Sequence, residues 1–202
     1  MEKESYREVL LKISSMISNG DAEVEAELKA CLADTDTYIS SHLENYNDRC
    51  MNLEDISTED AQWLGMADIL INHRYAVELD WQDSIVDFGW GISSLRTFKQ
   101  LRLPLEEKFL NDDSGIDADD FAGYDDGDDE EYSYEREEES FEEQEIPYWC
   151  RYLDNQWFDE DACIGQIDIE SESFVLFITE PEKLEKLEDA ADMIGRRVST
   201  VF

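Results

Sequence analysis

Between Asn111 and Glu145 the chain carries eighteen Asp or Glu residues against a single Arg136, with Phe121, Tyr124, Tyr132, Tyr134 and Phe141 set among them. No other stretch constrains the fold as strongly. Packing that much like charge into one compact element costs repulsion that no local apolar face offsets, so the tract is expected as a solvated, disordered insertion at 111–145. The sequence before it reads helical and the sequence after it reads as a hairpin and helix. The expectation is therefore one α+β domain over residues 1–202, with a helical N-terminal layer packed on a small C-terminal β-hairpin, helix and strand unit.

The charge does not end with the tract. The formal net charge of the 202 residues is −37, of which the tract supplies 17 and the rest of the chain 20. Nucleic acid and anionic lipid are bound through clusters of Lys and Arg that neutralise phosphates, so direct nucleic-acid and membrane partners are not expected. A basic protein is the expected partner class. Met1 to Ser5 brings no apolar signal core, and the longest strongly apolar run, Phe174 to Ile178, is far too short to span a bilayer. A cytoplasmic location is expected. Cys31, Cys50, Cys150 and Cys163 show no C-x-x-C spacing and read as small buried hydrophobes, neither disulfides nor metal ligands.

Helical spacing is clearest in four places. Tyr6, Val9, Leu10, Ile13, Met16 and Ile17 mark a first helix closed near Gly20. Asp21 is placed to cap a second with the stripe Val24, Leu28, Cys31 and Leu32, and Thr35 to cap a third carrying Tyr38, Ile39, His42, Leu43 and Tyr46. Thr58 opens a fourth, with Trp63, Met66, Ala67, Leu70 and Ile71 as its core face. Arg74 to Asp80 alternates as a strand. Asp80 then has the spacing of a capping box with Asp83, which predicts one helical face running through Trp81, Ile85, Phe88, Ile92 and Leu95. Gly89 and Gly91 inside that helix predict close approach of a neighbouring backbone, because each costs about 1 kcal/mol of helix propensity. A short helix is expected from Leu101 to Leu110, interrupted before Pro104.

After the tract, Cys163 to Ile169 and Phe174 to Ile178 flank the polar Glu170 to Ser173 and read as a hairpin. Pro181 fits the first turn of a helix with Leu184, Leu187, Ala191 and Ile194 inward, closed by Gly195, and Arg197 to Phe202 reads as a last strand. Leu79-Asp80-Trp81-Gln82-Asp83, and later Gly165-Gln166-Ile167-Asp168 before Phe174-Val175-Leu176-Phe177, resemble an uncharacterised bacterial family, domain-of-unknown-function family 6630. The resemblance implies an α+β domain and no established activity. Glu170 to Ser173 departs from the short Asp-Thr-Gly-like turn of that family, and the long acidic insertion is atypical of it.

Catalytic chemistry finds little support. Fifty-three carboxylates make pairs uninformative. A calcium loop starting at Asp126 meets Glu131 where glycine is required, and one starting at Asp117 fails at Phe121. His42 and His73 lack a catalytic context, and no zinc or phosphate-loop spacing occurs, so no metal or cofactor is expected. The expected function is that of a non-catalytic acidic binding or inhibitory protein for a basic macromolecule, like an immunity protein or a nucleic-acid mimic. Candidate contacts are Tyr124, Tyr132, Tyr134 and Phe141. The alternative is a small-ligand or enzymatic cleft between the helical layer and the hairpin, near Asp80, Trp81 and Asp168.

If the tract is an insertion, replacing Asn111 to Glu145 by a short linker leaves the cooperative urea transition intact. A soluble deletion variant without a cooperative transition would make the tract structural.

Overall fold

A computed structural model describes residues 5–42, 56–110 and 145–201. Tyr124, Tyr132, Tyr134 and Phe141, the expected disorder of the tract, and the continuation of the third helix to Leu43 and Tyr46 lie outside the described residues, as does Cys50.

Four helices precede the first strand: α1 (Tyr6–Ile17), α2 (Ala22–Ala33), α3 (Thr35–Ser41) and α4 (Thr58–Asn72). Their starts are fixed by side chains that satisfy backbone N–H groups the helix leaves unpaired. Ser5 and Glu8 form a reciprocal capping box on α1, and Ser57 and Asp60 do the same on α4. Asp21 caps α2 as its position predicts. On α3 the cap is Asp34, one residue earlier than expected, because the Thr35 hydroxyl donates instead to the Cys31 carbonyl at 3.1 Å. Asn19 and Gly20 both take positive φ, 53° and 75°, and turn the chain between α1 and α2.

The strands β1 (Ala76–Asp80), β2 (Cys163–Ile167), β3 (Ser173–Thr179) and β4 (Val198–Thr200) form one antiparallel sheet in the order β1-β3-β2-β4. One strand from before the tract thus pairs directly with strands from after it, Ala76 opposite Phe177 and Val77 opposite Leu176. Both faces of the sheet are buried. Val175 and Phe177 point into a core made with α1, α2, α4 and α8 (Pro181–Asp192), whereas Leu176 and Ile178 point into a second core with α5 (Ile85–Ser94) and α7 (Ile146–Gln156). That two-sided burial explains why Phe174 to Ile178 has no polar alternation. Gly165 sits opposite Phe177, whose ring lies where a Cβ would be, 2.5 Å from it.

The helices therefore cover the sheet on two sides, where the sequence suggested one N-terminal layer. The second layer is held by Phe88, whose ring meets Phe109 at 5.9 Å and Trp149 at 5.5 Å. Phe109 lies just before the tract and Trp149 just after it. Glu106 adds a polar strap across the same gap, accepting from the Tyr152 hydroxyl at 2.6 Å and from Gln156 Nε2 at 3.0 Å. The Tyr152 hydroxyl, followed by Lys108, holds the Glu106 carboxyl below its ordinary range. No helix of the described residues is long and apolar enough to cross a membrane.

Several expectations are corrected around α5. The capping box belongs to Ser84 and Asp87 rather than Asp80 and Asp83. Asp80 and Asp83 instead close a turn, with Asp80 N–H donating to Asp83 Oδ2 and Gln82 N–H donating to Asp80 Oδ1, both at 2.9 Å. Trp81 falls in that turn and is 53% exposed, so it is no part of the core face that Ile85, Phe88, Ile92 and Leu95 form. The helix stops at Ser94, and α6 (Arg96–Leu101) follows after Leu95 takes an extended conformation. Leu101 is the end of a helix, not the start of one, and a 3-10 turn at Glu107–Phe109 precedes the tract. The stretch Pro147 to Asp161 is mostly α7 followed by a 3-10 turn at Phe158–Glu160.

These placements fix an order of stabilities. A Cβ on Gly89 would stand 1.9 Å from the Phe109 carbonyl oxygen, a backbone atom that cannot move aside cheaply. Gly89→Ala is expected to cost about 3 kcal/mol or more. Gly91→Ala meets side-chain ends and no backbone, Val77 Cγ2 at 3.1 Å and Leu79 Cδ2 at 3.2 Å, and should stay within about 1 kcal/mol of wild type. Trp81→Ala should shift stability by less than about 0.5 kcal/mol. Urea denaturation of the three variants checks the order, and a Trp81→Ala loss as large as that of Gly89→Ala would return Trp81 to the core.

Candidate functional site

Antiparallel pairing brings the end of β1, the start of β3 and the end of β2 to one end of the sheet. Asp80 stands opposite Ser173 in β3, and Asp168 follows the last residue of β2. Two of the three residues suggested as a cleft, Asp80 and Asp168, thus share a sheet end with β3 between them. Trp81 lies beside Asp80, exposed. Neither Asp80 nor Trp81 lines the hollow that Asp168 does.

Asp168 is fixed through its backbone. Its N–H donates to the Arg197 carbonyl at 3.0 Å, and its own carbonyl accepts from the Trp63 indole N–H at 2.7 Å. Its Oδ1 accepts from Glu170 N–H at 2.8 Å, which holds Glu170 in a left-handed conformation with φ 57°. On the other side α8 ends at Asp192, and the turn after it passes through Gly195, φ 71°, to Arg196 and Arg197 before β4. Between these two turns lies a hollow of ≈ 520 Å³, walled by Asp168, Glu170, Glu188, Asp192, Arg196 and Arg197. A second, of ≈ 140 Å³, adjoins it on Gln166, Asp168, Arg197, Ser199 and Thr200.

The two arginines behave differently. Arg196 is turned inward, its side chain 13% exposed: it bonds Asp60, donates from Nε to the Tyr6 hydroxyl at 3.1 Å, and approaches Glu170 Oε1 at 3.7 Å. Burial works against its charge, but the bonds to Asp60 and Tyr6 outweigh it and raise its pKa. Asp60 is held below the usual carboxylate range by the Ser57 hydroxyl first and by Arg196 next. The capping box of α4 is thereby tied to the end of α8. Arg197 is exposed and faces both hollows. With Arg196 committed to its partners, the larger hollow presents four carboxylates and one outward cation, an arrangement suited to accepting guanidinium or ammonium donors.

Glu188, Asp192, Arg196 and Arg197 were not singled out by sequence. One signal was present: two adjacent arginines directly after a helix-closing glycine, in a chain with only 16 Lys and Arg. Pairing of Arg196 with Asp60 across 136 positions had no local signature.

Other reactive groups are occupied structurally. His73 pairs with Glu27 at 2.8 Å, and His42 stacks on Tyr38 with its Nδ1 2.8 Å from the Tyr38 carbonyl. Burial pushes the Cys31 thiol to about 11 and the Cys163 thiol to about 12, and raises Cys150 well above the ordinary thiol range, so thiolate is disfavoured at neutral pH. Among the described residues no group of three or more His, Cys, Asp or Glu is arranged to hold a metal ion. Asp154, whose carboxyl is raised to about 6, lies away from the hollow, between α7 and β2. Burial raises it, and its bond from Ile164 N–H at 2.7 Å opposes that shift.

Residues 9–202 match the family described as Domain of unknown function (DUF6630), and the chain belongs to that family. Comparison with curated proteins and with solved structures gives no match.

Asp154 makes a pH prediction. The folded carboxyl holds its proton more tightly than the unfolded one, whose pKa is about 3.9. Stability contributed by this group is therefore full below pH ~4, falls as the pH rises to about 6, and is flat above. Asp154→Asn retains an acceptor for Ile164 N–H without the buried charge. It is expected to stabilise at pH 7 by on the order of 2 kcal/mol and to reduce the fall between pH ~4 and ~6. Parallel pH series of urea midpoints check this; identical slopes for variant and wild type would remove Asp154 as the cause.

Proposed function

We propose that this DUF6630 member is a cytoplasmic, non-catalytic binding or inhibitory protein for a basic macromolecule, in the manner of an immunity protein or a nucleic-acid mimic. The observation that carries the reading is the net charge of −37, spread over the body of the chain as well as the tract. A field of that sign raises the encounter rate with a basic surface and repels phosphates and anionic lipid. The larger hollow supports it by presenting Asp168, Glu170, Glu188 and Asp192 together at the surface. Charge steers but gives little specificity by itself, and we place additional anchoring on the tract aromatics Tyr124, Tyr132, Tyr134 and Phe141.

The small-ligand reading keeps one observation in its favour, since ≈ 520 Å³ lies within the range of ligand pockets. Its walls weigh against it. Most of the lining is charged, with Val198 the one large apolar residue, whereas ligand pockets bury their occupants mainly against apolar and aromatic side chains.

Capture on the immobilised full chain at about 0.05 M salt, followed by affinity measurement up to about 0.5 M, tests the proposal. A basic partner whose affinity falls steeply with salt supports it, and Tyr132→Ala with Tyr134→Ala should weaken that binding at unchanged net charge. Recovery of no basic macromolecule at any salt, or an affinity flat in salt, overturns it.

A further inference from the structure

Strand β4 is an edge of the sheet, paired with β2 on one side and with no strand on the other among the described residues. Asp168 N–H donates to the Arg197 carbonyl, which makes Asp168 and Arg197 a hydrogen-bonded pair; such pairs alternate along an antiparallel ladder. Ser199, opposite Gln166, is then the next bonded pair, and Val198 and Thr200 turn their backbone groups away from β2. Those two residues border the two hollows separately, Val198 the larger and Thr200 the smaller. Of their outward groups, the Thr200 carbonyl already accepts from the Ser199 hydroxyl at 2.8 Å.

Resting on the basic-partner reading above, we propose that the free edge of β4 is a strand-addition site for an extended, Arg- or Lys-bearing peptide segment of that partner. A peptide paired with β4 sends successive side chains to opposite faces. Side chains on one face enter the hollow walled by Glu170, Glu188 and Asp192 and meet carboxylate acceptors. Those on the other face enter the smaller hollow beside Gln166, Ser199 and Thr200, which suits a short hydroxylated side chain. Backbone pairing supplies affinity without sequence preference, and the carboxylates choose basic side chains. A second copy of this chain is the competing occupant of any open edge. Charge disfavours it, because each copy brings −37.

The probe is a blocked heptapeptide alternating arginine and threonine, titrated against the full chain at about 0.05 M salt. Two analogues carry N-methyl groups on all threonines or on all arginines, which removes one edge's N–H donors at unchanged charge. The parent peptide is expected to bind and to slow amide exchange at Val198 and Thr200 by about fivefold or more. One of the two methylated analogues should bind about tenfold more weakly, and Glu188→Gln with Asp192→Gln should weaken the parent several-fold. If both analogues bind as the parent does, strand addition is overturned while the acidic-binding reading stands. If none of the three binds at low salt, both fail. A free chain that sediments as a dimer with Val198 and Thr200 amides already protected assigns the edge to a second copy and overturns the proposal.

Discussion

Burial of both faces of β3 is the constraint on which the rest of the structure depends. Val175 and Phe177 on one face, and Leu176 and Ile178 on the other, are each at most 1% exposed. Fully burying a side chain of this size contributes roughly 1.5–3 kcal/mol, so leaving either face to water would forfeit several such terms. Helices must therefore lie on two sides of the sheet. The chain meets that demand by setting α1, α2, α4 and α8 on one side and α5 and α7 on the other.

The second layer is where the acidic tract imposes its own condition. The described chain stops at Leu110 and resumes at Glu145, just before α7, and contacts among the described residues hold the two ends together. Phe88 does this with rings on both sides, and Gly89, the next residue on α5, lets the Phe109 backbone approach closely enough for the contact. Glu106, Tyr152 and Lys108 add charge-assisted bonds and a cation 4.0 Å over the Tyr152 ring.

Much of this architecture was legible because period and caps are local. The stripes of α1, α2, α4 and α8 predicted their buried faces, Gly89 predicted a close backbone, and the hairpin at Asp168 to Ser173 was visible from its polar turn. Trp81 misled because Asp80 and Asp83 have the spacing of a capping box, while Ser84 and Asp87 offer another one turn later. The second box won, and the indole was left in the turn. The break at Leu95 was hidden because its side chain stays in the apolar stripe even though its backbone turns extended. The hollow was half legible, through Asp168. Glu188, Asp192, Arg196 and Arg197 join it only because α8 and β4 fold back beside the hairpin turn, which no spacing in the chain records.

Strand edges carry unpaired backbone groups, and a soluble chain has to keep them from pairing with copies of itself. Among the described residues that protection on β4 comes from shortness and charge: three residues, bordered by Glu188, Asp192, Asp168 and Glu170. Like charge acts on every identical copy equally, so it suppresses self-pairing without closing the backbone to a segment of opposite sign. The same carboxylates can thus guard the edge and select what joins it. Arg196 sharpens this division. By turning inward to Asp60 and Tyr6 it joins two helices and leaves the carboxylates of Glu188 and Asp192 outside its set of partners. In a chain so short of cations, where each arginine points decides whether an acidic surface is neutralised from within or left to a partner.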